Sequence, residues 1–193
     1  MGLSLLLAAG KGETNTVKEL LEKGADVNFK GADDRTPLME AAFAGRTETV
    51  KLLLDYGADM SAKKADGETP TTFAARHKDI SELLKKVSAL VAAASKGDNQ
   101  AVRNLIDQGT PVNGLDQYGH SALTEASWNG QTETVKLLLE KGANPGIKKA
   151  DGATALDLAK GQKHQDIVEL LQQAMAKSST PTPSPNGTAT TQK

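Results

Sequence analysis

The chain has 193 residues, enough for one domain or a short repeat array with a sizeable buried core. Lys and Arg number 23 against 24 Asp and Glu, and this near-neutral balance argues against a dedicated nucleic-acid binder. Cysteine is absent, which removes disulfides, Cys-ligated zinc, iron–sulfur clusters and thiol catalysis together.

The first predicted element is the apolar run Leu3 to Ala9. It is too short to span a membrane and lacks the basic residues that precede a signal-peptide core. Met1-Gly2 would suit myristoylation, but Leu6 stands where that motif wants Ser or Thr. The run is therefore read as a first helix. With no export signal in view, the cytoplasm is the expected compartment, although a processed, exported form would look the same.

Further along the chain the same pattern returns. The run Thr-Glu-Thr-Val-Lys occurs at 47–51 and again at 132–136, each time followed by three leucines and a Gly-Ala pair. Earlier variants of that ending start at Leu20 and Leu105. Gly24 and Gly57 are 33 residues apart, as are Gly109 and Gly142, and Leu52 and Leu137 are 85 apart. The chain is thus a tandem duplication of a three-repeat unit, with repeats at about 3–30, 31–63, 64–86, 88–115, 116–148 and 149–176. These form two segments, 1–87 and 88–176, expected to make one continuous stack.

Local signals agree. Thr36 and Thr69 suit helix N-caps, with Pro37 and Pro70 at the first helical position, where no N–H is needed. Ser4, Ser88, Ser121 and Thr154 hold the equivalent cap positions. Gly12, Gly45, Gly97 and Gly130 are placed to end first helices, and Gly24, Gly57, Gly109 and Gly142 to end second ones. Asp66-Gly67 and Asp151-Gly152 suit hairpin turns.

The pattern breaks in the middle. Gly57 and Gly109 are 52 residues apart, fourteen short of two full periods. About two residues are missing between Ala75 and Asp79, and a whole hairpin between Lys86 and Ser88. Residues 79–96 either form one long helix, with Ile80, Leu84, Val87 and Val91 on one face, or two helices meeting at a tight turn. Lys85 and Lys86 suit a helix end and Ser88 a helix start, which favours two. Either way the row of hairpin fingers is expected to have a gap. Residues 177–193 are rich in Ser, Thr and Pro and are expected to be a disordered or polyproline-leaning tail, with a Pro-motif ligand as the alternative.

No catalytic, cofactor-binding or metal-binding residue is predicted. His77, His120 and His164 lie in different repeats without a ligand spacing, and His77 is expected to be solvated in the shortened loop. Ala9-Gly10-Lys11-Gly12 follows a helix and lacks the rest of a phosphate-binding motif. Carboxylates pair with lysines at helical spacing, as in Glu48 with Lys51 and Glu133 with Lys136.

A 33-residue period carrying Arg35-Thr36-Pro37-Leu38, Ala41-Ala42, Gly45, Val50, a leucine triplet and Gly-Ala-Asp closely resembles the ankyrin repeat. Asp66-Gly67-Glu68-Thr69-Pro70 matches its turn-and-cap signature. The resemblance covers roughly residues 3–176 in six imperfect copies. It implies an all-α repeat solenoid: a monomeric helix-turn-helix stack with short β-hairpin loops, one of them missing near 86–88. It also implies a structural role for His164 at the start of a second helix.

The resemblance further implies a non-catalytic protein–protein interaction module, an adaptor, inhibitor or assembly factor. A structural spacer or processed fragment is the alternative. Neither nucleic acid nor membrane insertion is expected. Binding would use the concave surface of hairpin tips and first helices, which places Tyr118, His120 and Trp128 at its centre with Asn129, Thr124, Arg35, Met39 and Phe43. Aromatic residues are only 3% of the chain, so their fall on this surface is informative. Phe43 and Trp128 are duplication partners, as are Arg35 and His120. Covering the adjoining helix is the alternative to a contact role for both aromatics, whereas Phe73 is expected in the core. Lys63, Lys64, Lys148 and Lys149 form two duplicated basic tips, either solvated or facing an acidic partner.

Overall fold

A computed structural model describes residues 1–179. In chain order the helices are α1 (Gly2–Lys11), α2 (Thr14–Glu22), α3 (Pro37–Phe43), α4 (Thr47–Asp55), α5 (Pro70–Ala74), α6 (Lys78–Lys96), α7 (Asn99–Asp107), α8 (Ala122–Trp128), α9 (Thr132–Glu140), α10 (Ala155–Gly161) and α11 (Gln165–Ser179). First helices stack as α1–α3–α5 and α6–α8–α10, second helices as α2–α4–α6 and α7–α9–α11. This is the expected all-α repeat stack, since no single repeat buries its apolar face alone.

The caps explain where the short helices start. Thr36 Oγ1 accepts from the N–H of Met39, with Pro37 opening α3. Thr69 with Thr72, Ser121 with Thr124 and Thr154 with Asp157 form reciprocal capping boxes at α5, α8 and α10. Ser4 does not cap, because α1 already starts at Gly2.

Residues 78–96 form one helix, against the turn expected near residue 87. With the hairpin gone, its Gly-Ala-Asp stop signal is gone too, and nothing between Lys78 and Lys96 breaks the ladder. Ser88 is an interior residue whose hydroxyl donates to the Leu84 carbonyl at 3.4 Å. Ile80, Leu84, Val87, Leu90 and Val91 form the buried stripe. The buried apolar side chains gather into two clusters, one running from Leu5 to Val87 and the other from Leu90 to Leu171.

The expected β-hairpins are tight fingers among the described residues, with only isolated bridges, Asp59 with Leu115 and Lys148 with Thr154. Each closes by one short pair of backbone bonds, such as Lys64 N–H to the Glu68 carbonyl and Gly67 N–H to the Lys64 carbonyl. One finger is absent, yet the row does not stay open at its base. Leu115 N–H donates to the Ala58 carbonyl and Met60 N–H to the Leu115 carbonyl, both at 3.3 Å. Asn113 Nδ2 reaches the Asp55 carbonyl at 3.0 Å. The flanking fingers have closed onto each other.

The last helix continues to Ser179, so residues 177–179 are not part of the expected tail. The rest of that tail lies outside the described residues.

Candidate functional site

The stems of the fingers meet the first helices, and two equivalent clusters form there, one in each half. In the first half, Arg35 Nη1 lies 2.6 Å from Glu40 Oε1. Its guanidinium also lies 5.4 Å from the Phe43 ring centre and 5.3 Å from that of Phe73. The two rings pack edge to face at 5.8 Å. Phe73 is buried, as expected of a core residue, while Phe43 is 49% exposed. Phe43 therefore both covers the next helix and offers a surface.

In the second half, His120 Nδ1 lies 2.9 Å from Glu125 Oε1, and the Tyr118 ring lies 6.4 Å from the His120 ring. Asn129 Nδ2 donates to the Glu125 carbonyl and to Ser95 Oγ, which ties α8 to α6. Tyr118 is 68% exposed and Trp128 47%. Trp128 lies one turn beyond Glu125 on α8, so its ring and the Tyr118–His120 pair belong to neighbouring elements.

Two expected surface residues are not at the surface. Met39 and Thr124 are each only 1% exposed. Both are third helical residues whose backbone N–H is held by the cap, at Thr36 and Ser121 respectively. Each sits on a first helix packed between two others, α3 between α1 and α5 and α8 between α6 and α10, whereas the equivalent Thr72 and Asp157 are exposed. The Thr124 hydroxyl also donates to the Ser121 carbonyl, leaving it nothing to offer a partner.

The basic tips divide in two. Lys64 is paired with Asp66 at 2.7 Å and with Glu68 at 3.0 Å, and Lys149 with Asp151 at 3.1 Å. Bonding to Asp66 and then Glu68 raises the Lys64 pKa. The Asp151 carboxyl is lowered first by the Ala153 N–H and then by Lys149. Lys63 and Lys148 point outward and are exposed.

His77 is half-buried and bonded, against the fully solvated loop residue expected. Its Nε2–H donates to the Phe43 carbonyl at 3.1 Å, and His164 does the same to the Trp128 carbonyl at 3.2 Å. Each imidazole thus ties a second helix to the end of the preceding first helix, directly behind an exposed aromatic. Gly45 and Gly130, both at φ 70°, make room, because a Cβ there would come within 2.6 and 2.7 Å of the rings.

Sequence reasoning missed Glu40 and Glu125, the carboxylates that fix Arg35 and His120. Their signal was present: each lies five residues after its cation, in both halves. Among the described residues no cluster of His, Asp and Glu could hold a metal ion. None of their helices is long and apolar enough to cross a membrane.

A family model described as ankyrin repeats (3 copies) matches residues 5–89 and again 90–181. The chain is 36% identical over 100 residues to a Treponema pallidum protein described as ankyrin repeat-containing, covering 51% of this chain and 32% of that one. It is 34% identical over 173 residues to ankyrin repeat and SAM domain-containing protein 6 of Danio rerio, covering 89% of this chain and 20% of the relative. It is 37% identical over 89 residues to the E3 ubiquitin-protein ligase hecd-1 of Caenorhabditis elegans, 44% of this chain and 3% of the ligase. The chain thus spans a third or less of these relatives' own length. Ankyrin repeats generally mediate protein–protein interaction and are typically non-catalytic. With both halves matched and the repeat stack on view, this chain belongs to the ankyrin-repeat family.

Proposed function

We propose that this chain is a non-catalytic binding module, an adaptor, inhibitor or assembly factor, that holds a protein partner on the concave surface formed by its fingers and first helices. The observation that carries this reading is the exposure of Tyr118, Phe43 and Trp128 in a chain with so few aromatics. Large aromatics and Arg are the residues most enriched among binding hot spots. The Phe43 ring is held by Phe73 and Arg35, and the backbone behind Trp128 by His164. Little side-chain freedom would then be lost at Phe43 on binding.

In this reading Tyr118, His120, Trp128 and Asn129 form the centre and Phe43 with Arg35 the flank. Lys63 and Lys148 supply exposed positive charge at the finger tips. The test is affinity capture from a native lysate, identified by mass spectrometry, with wild type beside the Trp128→Ala/Tyr118→Ala double variant. A partner held by wild type and lost by the folded variant is the expected result. Retention of the same partner by both would overturn the site.

A further inference from the structure

We propose that the position vacated by the absent finger is a second binding site, one that takes an extended acidic segment of a partner protein. A cleft of about 310 Å³ opens there. Its lining includes Lys85 and Ser88 on either side of the lost hairpin, Met60 at the base of the preceding finger and Gln117 in the following one, with Ser81 and Leu84 on α6. The flanking fingers have closed at their bases, through Ala58, Met60 and Leu115, and the Gly119 turn lies beside Ser61. The space beside α5 and α6 is left without its polypeptide.

Intact neighbours indicate what such a seat accepts. Adjacent fingers are joined by backbone and Asn contacts: Asp59 N–H to Asn28 Oδ1 at 2.9 Å, and Ala150 N–H to the Gly119 carbonyl at 3.2 Å. The natural occupant of the row is thus polypeptide in an extended or turned form, bound through its main chain. The size of the cleft, at the low end for ligand pockets, suits a side chain with its adjoining backbone.

Charge selects the occupant further. Lys85 is the one charged residue lining the cleft, and no carboxylate lines it. Among the described residues the Ser81 hydroxyl, the Lys85 ammonium and the Gln117 amide form no hydrogen bond or ion pair. Lys85 gives the cleft its charge, and the Ser81 hydroxyl and Gln117 amide, each able to donate or accept, line it with Met60 and Leu84. A glutamate or aspartate on an extended segment would pair with that charge and accept from its neighbours, since charge-assisted bonds are the stronger kind.

Gln117 adjoins Tyr118 of the proposed partner surface, so the test reads the cleft through Ser81, Lys85 and Ser88 on α6. The full chain, isotopically labelled, is titrated with acetyl-Ala-Glu-Ala-amide and with the matched Gln peptide, following backbone amide resonances. Saturable shifts confined to Ser81, Lys85, Ser88, Gln117 and their neighbours are expected. The Gln peptide is expected to bind roughly tenfold more weakly, and Lys85→Glu to abolish binding of the acidic one. Lys85 is exposed, so this variant keeps its fold, which circular dichroism verifies. Absence of saturable shifts, equal affinity for the two peptides, or binding indifferent to Lys85→Glu would each overturn the proposal.

Discussion

His120 Nδ1 lies 2.9 Å from Glu125 Oε1, in the same relation that Arg35 Nη1 holds to Glu40 Oε1 at 2.6 Å in the other half. The duplication has kept the carboxylate and exchanged the cation. Arg35 is always charged and sits over two rings, whereas His120 touches one ring and is charged only when protonated.

The two halves should therefore differ in how much their cation contributes. Arg35→Ala is expected to cost about 1–2 kcal/mol, from two cation–π contacts and a partly buried ion pair. His120→Ala is expected to cost less than about 1 kcal/mol. Urea unfolding of both variants checks this, and equal losses would mean that the Phe43 and Phe73 rings do not anchor Arg35.

Ser88 decides between a continuous α6 and a turn at its middle. At a helix N-cap, Ser88→Ala would cost about 1 kcal/mol. Inside a helix it is expected to be neutral or to stabilise by a few tenths of a kcal/mol, because Ala has the higher helix propensity. Ser88→Pro is expected to cost about 3 kcal/mol or more, by removing a ladder bond and clashing with the Leu84 carbonyl. A tolerated proline together with a damaging alanine would mean that the helix is broken there.

That same residue shows how much of the fold was legible. The stack could be read because glycines at a 33-residue spacing and Thr-Pro caps are local signals that recur in register. Ser88 carries the cap signal too, but a cap needs a preceding turn to leave N–H groups free, and the deletion removed that turn. The surface was harder to read. Helices such as α3 and α8 span only seven residues, two turns, so periodicity alone does not fix which side faces out. Phe43 and Trp128, the last residues of their helices, are exposed as read. Met39 and Thr124 were misplaced because first helices on both sides cover α3 and α8, which the cap signal does not reveal: the equivalent Thr72 and Asp157 are exposed. The cleft by α6 was legible only as missing length; which residues would line it depends on how the flanking fingers close.

Ser127 is fully buried, and its hydroxyl has no hydrogen-bond partner among the described residues. Its duplication partner is Ala42, equally buried. An unpaired buried hydroxyl gives up its water bonds without replacement. Ser127→Ala is expected to raise stability by about 1 kcal/mol, seen as a higher urea midpoint with an unchanged slope. A loss of stability would show that the hydroxyl is satisfied in solution.

Asp157 supplies the pH dependence that is simplest to sign. Its carboxyl accepts from the Thr154 hydroxyl at 2.6 Å and from the Thr154 N–H at 3.0 Å. The hydroxyl first, and then the N–H, hold its pKa below the ordinary 3.8. A folded pKa below the unfolded one means that folding favours the ionised form. The resulting stability is present in full above the unfolded value. It is lost as pH falls through the lower folded value, where both states bind the proton. The difference in stability between wild type and Asp157→Ala should therefore be constant from neutral pH down to about pH 5. Below that it should shrink as the carboxylate in α10 is titrated. Urea midpoints for the pair across this range make the check. A difference that grew on acidification would mean that the capping box at Thr154 is held by the protonated acid.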